Sequence, residues 1–138
     1  MRESQFYSRV NAKLPKSIHH QAMTGVTFNG TLDHYYDGTK TDWWVEYKAW
    51  PSIPRDGTIC VKPDVSRKHQ RQGRLSVNQL RWAQRRWKTG KNVAVVVVLS
   101  NRMALILKEP AQWLNPVPIT DAVSIEEVAS WIIACVGA

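Results

Sequence analysis

A chain of 138 residues is long enough for one domain with a single hydrophobic core. Its formal net charge of +8 and pI near 9.8 argue against an acidic binding module and favour an anionic partner, most often nucleic acid and less often a membrane surface. Cys60 and Cys135 match no metal-ligand spacing, so we interpret them as free thiols in a reducing, cytoplasmic compartment. No signal peptide is expected, and the longest apolar run, Val93–Leu99, has only the length of a strand.

The first half of the chain predicts one helix and three strands. Glu3–Leu14 carries apolar residues four apart, which is typical of a helix with one buried face. Ser17–Met23 is predicted to be a polar strand. Thr31–Tyr36 and Asp42–Trp50 are rich in aromatic and β-branched residues, and the turn sequence 37–41 between them predicts a hairpin.

The second half opens on a long basic loop, 51–74, which is rich in proline and poor in apolar residues. Leu75–Thr89 is predicted to be a helix that ends at a glycine. Val93–Leu99 is predicted to be a strand buried on both faces, and Met103–Leu107 is predicted to return beside it. A second loop, marked by prolines, leads to a capping box that opens a last helix over residues 124–136.

Together these elements predict a single α/β domain spanning residues 1–138. Its central mixed sheet is flanked by helices, and the second helix crosses over between the third and fourth strands.

Two acidic residues are predicted to meet across the hairpin. If the turn is centred between Thr39 and Lys40, Asp33 lies opposite Glu46, at a Cβ separation of about 5 Å. Two opposed carboxylates repel unless a cation lies between them, and a divalent cation would remove that conflict. Lys48 is two residues from Glu46 and therefore shares its face of the strand.

Simpler interpretations of these residues stay open. Glu46 and Lys48 could form a salt bridge on a solvated face, which contributes little to stability. Asp33 could be an ordinary carboxylate at a strand end. Asp37 and Asp42 are rival metal ligands, although Asp42 is four residues, or about 13 Å, from Glu46.

The arrangement Asp33, then Glu46-Tyr47-Lys48 on the next strand, resembles the signature of the PD-(D/E)xK nucleases, whose fold has an αβββαβ core. The segment RLSVNQLRWAQRRWKTGKNVAVVVV, which contains Leu75-Ser76-Val77-Asn78-Gln79, is similar to the helix and strand that follow the active site in the VRR-NUC group and its Holliday-junction-resolvase relatives. The residue before Asp33 is Leu32, where that signature usually has proline.

The resemblance implies a metal-dependent nuclease. Asp33, Glu46 and the main-chain carbonyl of Tyr47 would bind Mg²⁺, with Mn²⁺ expected to substitute. Lys48 would orient the attacking water or stabilise the developing charge. Gln79 would point from the start of the second helix toward the same site.

Two of the residues that the resemblance implicates have a second interpretation. Ser76 and Gln79 have the spacing of a capping box, so Gln79 could serve only the start of its helix. Glu3 is the candidate for the acidic residue that members of this family often carry on the first helix, as a metal or neighbouring ligand. A simple helix-start carboxylate is the competing interpretation of Glu3.

Basic residues are concentrated between Lys62 and Lys91. This segment holds ten lysines and arginines and one acid, Asp64, so its net charge of +9 exceeds that of the whole chain. We predict that it contacts DNA phosphates and reads shape rather than base sequence. The predicted DNA-binding residues are Arg67, Lys68, Arg71, Arg74, Arg81, Arg85 and Lys88.

The sequence therefore predicts a Mg²⁺-dependent DNA endonuclease, and the resemblance implies branched or junction DNA as its substrate and a homodimer as its assembly. Two alternatives stay open. One is a catalytically silent nucleic-acid-binding protein on the same scaffold. The other is an exonuclease or nicking enzyme that acts on linear DNA.

Overall fold

The computed structural model describes residues 2–23, 34–68 and 71–138. Four helices and seven strands lie within these ranges, together with a short 3₁₀ helix at Ile119–Asp121. In chain order they are α1 (Glu3–Ala12), β1 (His19–Ala22), β2 (His34–Asp37), β3 (Asp42–Ala49), β4 (Thr58–Ile59), α2 (Val77–Lys88), β5 (Val93–Val98), β6 (Ala104–Leu107), α3 (Pro110–Leu114), β7 (Val117–Pro118) and α4 (Ile125–Val136). No helix within the described ranges combines the length and apolarity needed to cross a membrane.

Five strands form the central sheet, in the order β1-β2-β3-β5-β6. The pairs β1–β2, β2–β3 and β5–β6 are antiparallel, whereas β3 and β5 are parallel. Parallel neighbours need a crossover connection, and α2 lies within it. The predicted mixed sheet and the predicted crossover helix are both confirmed.

The hairpin has the predicted centre. His34 is paired with Val45, Tyr35 with Trp44, and Asp37 with Asp42. The same register holds for all four residue pairs between β2 and β3. Asp33 itself lies outside the described residues.

Each face of the sheet carries its own helices. On one face Phe6 of α1 and Ile132 of α4 pack with Tyr36 and Tyr47 in one buried cluster. On the other face Ala83 of α2 packs with a second cluster that includes Trp113 of α3. β5 serves both clusters, because its alternate valines point to opposite faces and none of them is more than 1 % exposed.

Two segments predicted to be loops contain regular structure. Within 51–74, β4 pairs with β7, and the proline-marked loop contains α3. Pro110 stands in the first turn of α3, where its missing N–H has no helical partner to lose. Trp113 is fully buried and donates its indole N–H to the Leu107 carbonyl at 2.9 Å, which fixes this short helix against the sheet.

Candidate active site

Glu46 lies in the middle of β3 and is only 2 % exposed. Trp44, Glu46 and Lys48 share the face of β3 that α2 covers, whereas Val45 and Tyr47 belong to the core on the opposite face. A buried carboxylate is costly unless polar partners compensate for the lost water. The polar groups around Glu46 therefore have to compensate for the burial of its carboxylate.

Two side chains approach the same oxygen of Glu46. The Gln79 amide nitrogen, Nε2, donates a hydrogen bond to Glu46 Oε1. Lys48 Nζ lies 3.9 Å from that oxygen, and the lysine side chain is 18 % exposed. The ion pair therefore does form, but Glu46 is buried and Lys48 is mostly buried, so the pair does not lie on a solvated face.

Gln79 makes hydrogen bonds both to the start of its helix and to Glu46. Its Oε1 accepts the Ser76 N–H at 2.9 Å, and Ser76 Oγ accepts the Gln79 N–H at 3.0 Å. This capping box fixes the amide plane, so that the opposite end of the amide, Nε2, faces Glu46. The helix start and the carboxylate are thereby tied to one another.

Variants at Ser76 and Gln79 separate these two roles. Ser76→Ala removes one half of the cap but keeps the Gln79 amide, so we expect a loss of about 1 kcal/mol in stability with little effect on cleavage. Gln79→Ala should cost a similar amount of stability and also slow cleavage by about 10- to 100-fold, the usual effect of losing a partner that orients a ligand. Thermal unfolding and single-turnover cleavage are the measurements. Equal cleavage rates for the two variants would assign Gln79 to the cap alone.

The donor chemistry around Glu46 fits a hard divalent cation. Mg²⁺ is held in proteins by one or two carboxylates and keeps several waters, and Glu46 is a buried carboxylate followed in the chain by the Tyr47 carbonyl. The described residues contain no group of three or more His, Cys, Asp or Glu side chains that could hold a metal on their own. The Tyr47 side chain points to the other face, where its hydroxyl hydrogen-bonds with that of Tyr36 at 2.7 Å.

Glu3 lies at the end of β3. Its Oε1 accepts the Ala49 N–H at 3.3 Å, which ties the first turn of α1 to the strand. Glu3, Trp50 and Gln72 all line a cavity of about 600 Å³ at this end of the sheet. Glu3 is thus both a helix-start residue and a neighbour of the strand segment that carries Lys48.

The predicted DNA-binding residues divide into two groups. Arg67, Lys68 and Arg71 are exposed in the loop before α2, and Arg74 Nη1 donates to the Lys62 carbonyl at 2.6 Å, which braces that loop. The residues of the second group, Arg81, Arg85 and Lys88, are exposed on α2. Residues two apart on a helix differ by about 200°, so Arg81 points away from the sheet while Gln79 points toward it.

Arg86 belongs to the same basic segment but is not a surface cation. Its guanidinium lies 4.9 Å from the Trp82 ring centre and 5.8 Å from that of Trp44. Burial lowers the pKa of Arg86, and the nearby Asp42 and Tyr35 oppose that shift. The contact with Trp44 fastens α2 to β3. The contact with Trp82 lies within α2, and its i, i+4 spacing is the sequence signal that could have predicted it.

His34 is a buried residue of β2 on the face of the sheet opposite to Glu46. Burial, followed by repulsion from His20, lowers the pKa of His34 to about 4. The side chain is therefore neutral at pH 7, and its Nε2 lies 3.1 Å from the Asn11 amide nitrogen under α1. His34 thus supports the core and does not supply positive charge to a phosphate.

The fold that carries this site is of the restriction-endonuclease-like class, as the sequence predicted. The structure is similar to that of Hjc from Archaeoglobus fulgidus, a Holliday junction resolvase from an archaeal hyperthermophile, with a TM-score of 0.54. The alignment covers 94 % of this chain and 97 % of the resolvase at 12 % sequence identity. No protein-family model and no curated protein matches the sequence, and membership of the VRR-NUC group stays a prediction.

Proposed function

We propose that this protein is a metal-dependent endonuclease that cuts branched DNA. The observation that carries the proposal is the buried carboxylate of Glu46, which shares one oxygen with Gln79 and Lys48 on a fold similar to that of a Holliday junction resolvase. Cleavage of junction DNA is the activity named for that resolvase, and the net charge of +8 suits the same kind of polyanion.

In this proposal each side chain has a separate task. Glu46, Asp33 and the Tyr47 carbonyl would hold Mg²⁺ or Mn²⁺, which supplies charge neutralisation at the scissile phosphate and makes a bound water more acidic. Gln79 holds the Glu46 carboxylate in one orientation. Lys48 is directed by β3 into the same space, where its ammonium would face the phosphate oxygens and stabilise negative charge as it develops.

The direct test is a cleavage panel on junction, flap, nicked and linear duplex DNA, each with Mg²⁺ and with EDTA. The proposal expects Mg²⁺-dependent cuts in the junction or the flap, and none in EDTA. Binding without cleavage of any substrate would favour the silent scaffold. Cuts restricted to linear ends or to single nicks would favour the exonuclease or nicking alternative.

The same preparation can test the predicted homodimer. Sedimentation at concentrations that span the cleavage assay should show two chains per particle, because a junction presents two strands to be cut. A monomer at every concentration would contradict this prediction and leave the cleavage proposal standing.

The exposed face of α2 offers a quantitative prediction about binding. Arg81→Ala, Arg85→Ala and Lys88→Ala together should weaken binding to every duplex about equally, because phosphate contacts carry no base information. Each lost contact should reduce the slope of log K against log salt by roughly 0.9. The measurement is a salt series in Ca²⁺, which should permit binding with little turnover.

A matched control for this salt series removes three exposed cations from elsewhere, namely Arg9, Lys16 and Lys40. It changes the net charge by the same amount, so any effect of overall charge is common to both variants. An equal slope for the two variants would mean that the α2 face is merely solvated.

A further inference from the structure

Trp87 stands apart from the other tryptophans of the described chain because it is largely exposed. Trp87 is 42 % exposed to solvent. Its ring lies beside the buried Trp113, with the ring centres 6.4 Å apart and the planes near perpendicular. One edge of the indole is therefore fixed while the rest of the ring can meet a ligand.

A cavity of about 430 Å³ opens beside this ring. Its lining consists of Trp87, the three cations of the exposed α2 face, one amide and one proline: Arg81, Gln84, Arg85, Trp87, Lys88 and Pro110. None of these six described residues is acidic. The cavity thus combines an aromatic surface with positive charge and one neutral hydrogen-bonding group.

We propose that this cavity binds an unpaired nucleotide of a single-stranded segment, whose base stacks on Trp87 while its phosphates meet the three cations. A base and an indole both present a flat π-face, and stacking of such faces is the usual way in which proteins hold single strands. A second copy of this chain is a poorer occupant, since a symmetric contact would bring two sets of three cations together.

In branched DNA, the cavity would bind the unpaired segment near the cleavage site. This part of the inference rests on the proposed function. The cavity lies beside the later turns of α2, next to Pro110 of α3, whereas Gln79, which binds Glu46, is in the first turn of the same helix. A base that is paired within a duplex is stacked on its neighbours and is not free to stack on Trp87. An unpaired stretch at a branch or flap could bend around the helix and do so.

The test uses the full chain and an oligothymidylate of about eight nucleotides, in the range of single-strand site sizes. Metal is left out, so that binding is measured independently of cleavage. Trp87→Ala should weaken binding of the oligonucleotide by about fivefold or more, as for the loss of one stacked base, and should leave duplex affinity within about twofold. Trp87→Phe, which keeps a ring, should retain most of the affinity. Ile53→Ala, at an apolar residue that is 40 % exposed and lies outside the basic segment 62–91, is the matched control.

The outcomes separate this inference from the proposed nuclease. An unchanged affinity of Trp87→Ala for the oligonucleotide, or an equal loss for duplex DNA, would overturn the inference. So would equally tight binding of polyglutamate, since that polymer offers charge without bases. If Trp87→Ala is unstable, Trp87→Leu takes its place, because it keeps an apolar side chain but has no ring, and it should show the same loss of affinity for the oligonucleotide. Loss of cleavage in Glu46 variants reports on the nuclease alone.

Discussion

Glu46→Ala is expected to abolish cleavage of branched DNA while binding in Ca²⁺ persists. The carboxylate is buried and lies between Gln79 and Lys48, so no surface group can substitute for it. Its loss would remove an oxygen ligand from the proposed cation, and the phosphate contacts made elsewhere would remain. Single-turnover cleavage with Mg²⁺ and a binding titration with Ca²⁺ measure the two effects separately.

The alanine variant also leaves Lys48 and Gln79 without their common acceptor, so its stability must be checked. Glu46→Gln keeps the volume of the side chain and one acceptor oxygen but removes the charge, and it should be nearly as inactive. Glu126→Ala, at an exposed carboxylate that pairs with Lys13 on the helical surface, is the control for a lost acid. Activity of either Glu46 variant near that of the wild type would contradict the site. Full activity of the unmodified protein in EDTA would contradict the metal.

The fold was predictable where local pattern and tertiary environment agree. The valines of β5 are apolar at every position because both faces of that strand are covered, and the run was interpreted in that way. The turn sequence between β2 and β3 fixed the register, and the observed pairs have the predicted centre. The capping box at Ser124 marked the start of α4 within a residue, and the predicted start of α2, Leu75, is two residues before the observed one.

The segments that were wrongly predicted to be loops are those whose structure depends on residues far away in the chain. β4 has two residues and forms only because β7, far away in the chain, pairs with it. α3 has five residues and owes its place to the burial of Trp113. Helices this short have no stability of their own, so proline spacing alone favoured a loop.

At the site, the sequence indicated which side chains share a face but not how deeply they are buried. Strand alternation placed Glu46 with Lys48, and the family resemblance added Gln79. Burial of Glu46 depends on where the crossover helix lies, and that is fixed by packing such as the contacts of Arg86 and Trp82 with Trp44 of β3. The same packing turns Arg81 away from the site, a separation that counting charges along the chain could not reveal.

Lys48→Ala is expected to lower kcat by about two orders of magnitude or more, the scale of one preorganised electrostatic group lost from a transition state. The ammonium lies 3.9 Å from Glu46 and is mostly shielded from water, so its field acts where screening by solvent is weak. Metal affinity should hardly change, because lysine donates no oxygen ligand, and the concentration of Mg²⁺ at half-maximal rate measures this.

Lys40→Ala, at an exposed position near the hairpin turn, controls for the loss of one charge. Lys48→Arg should recover little of the rate, since the planar guanidinium cannot occupy the space of a compact ammonium. A Lys48→Ala variant that cleaves at nearly the wild-type rate would show that Lys48 only neutralises the buried carboxylate. In that case the substitution would lower the stability of the protein and leave kcat unchanged.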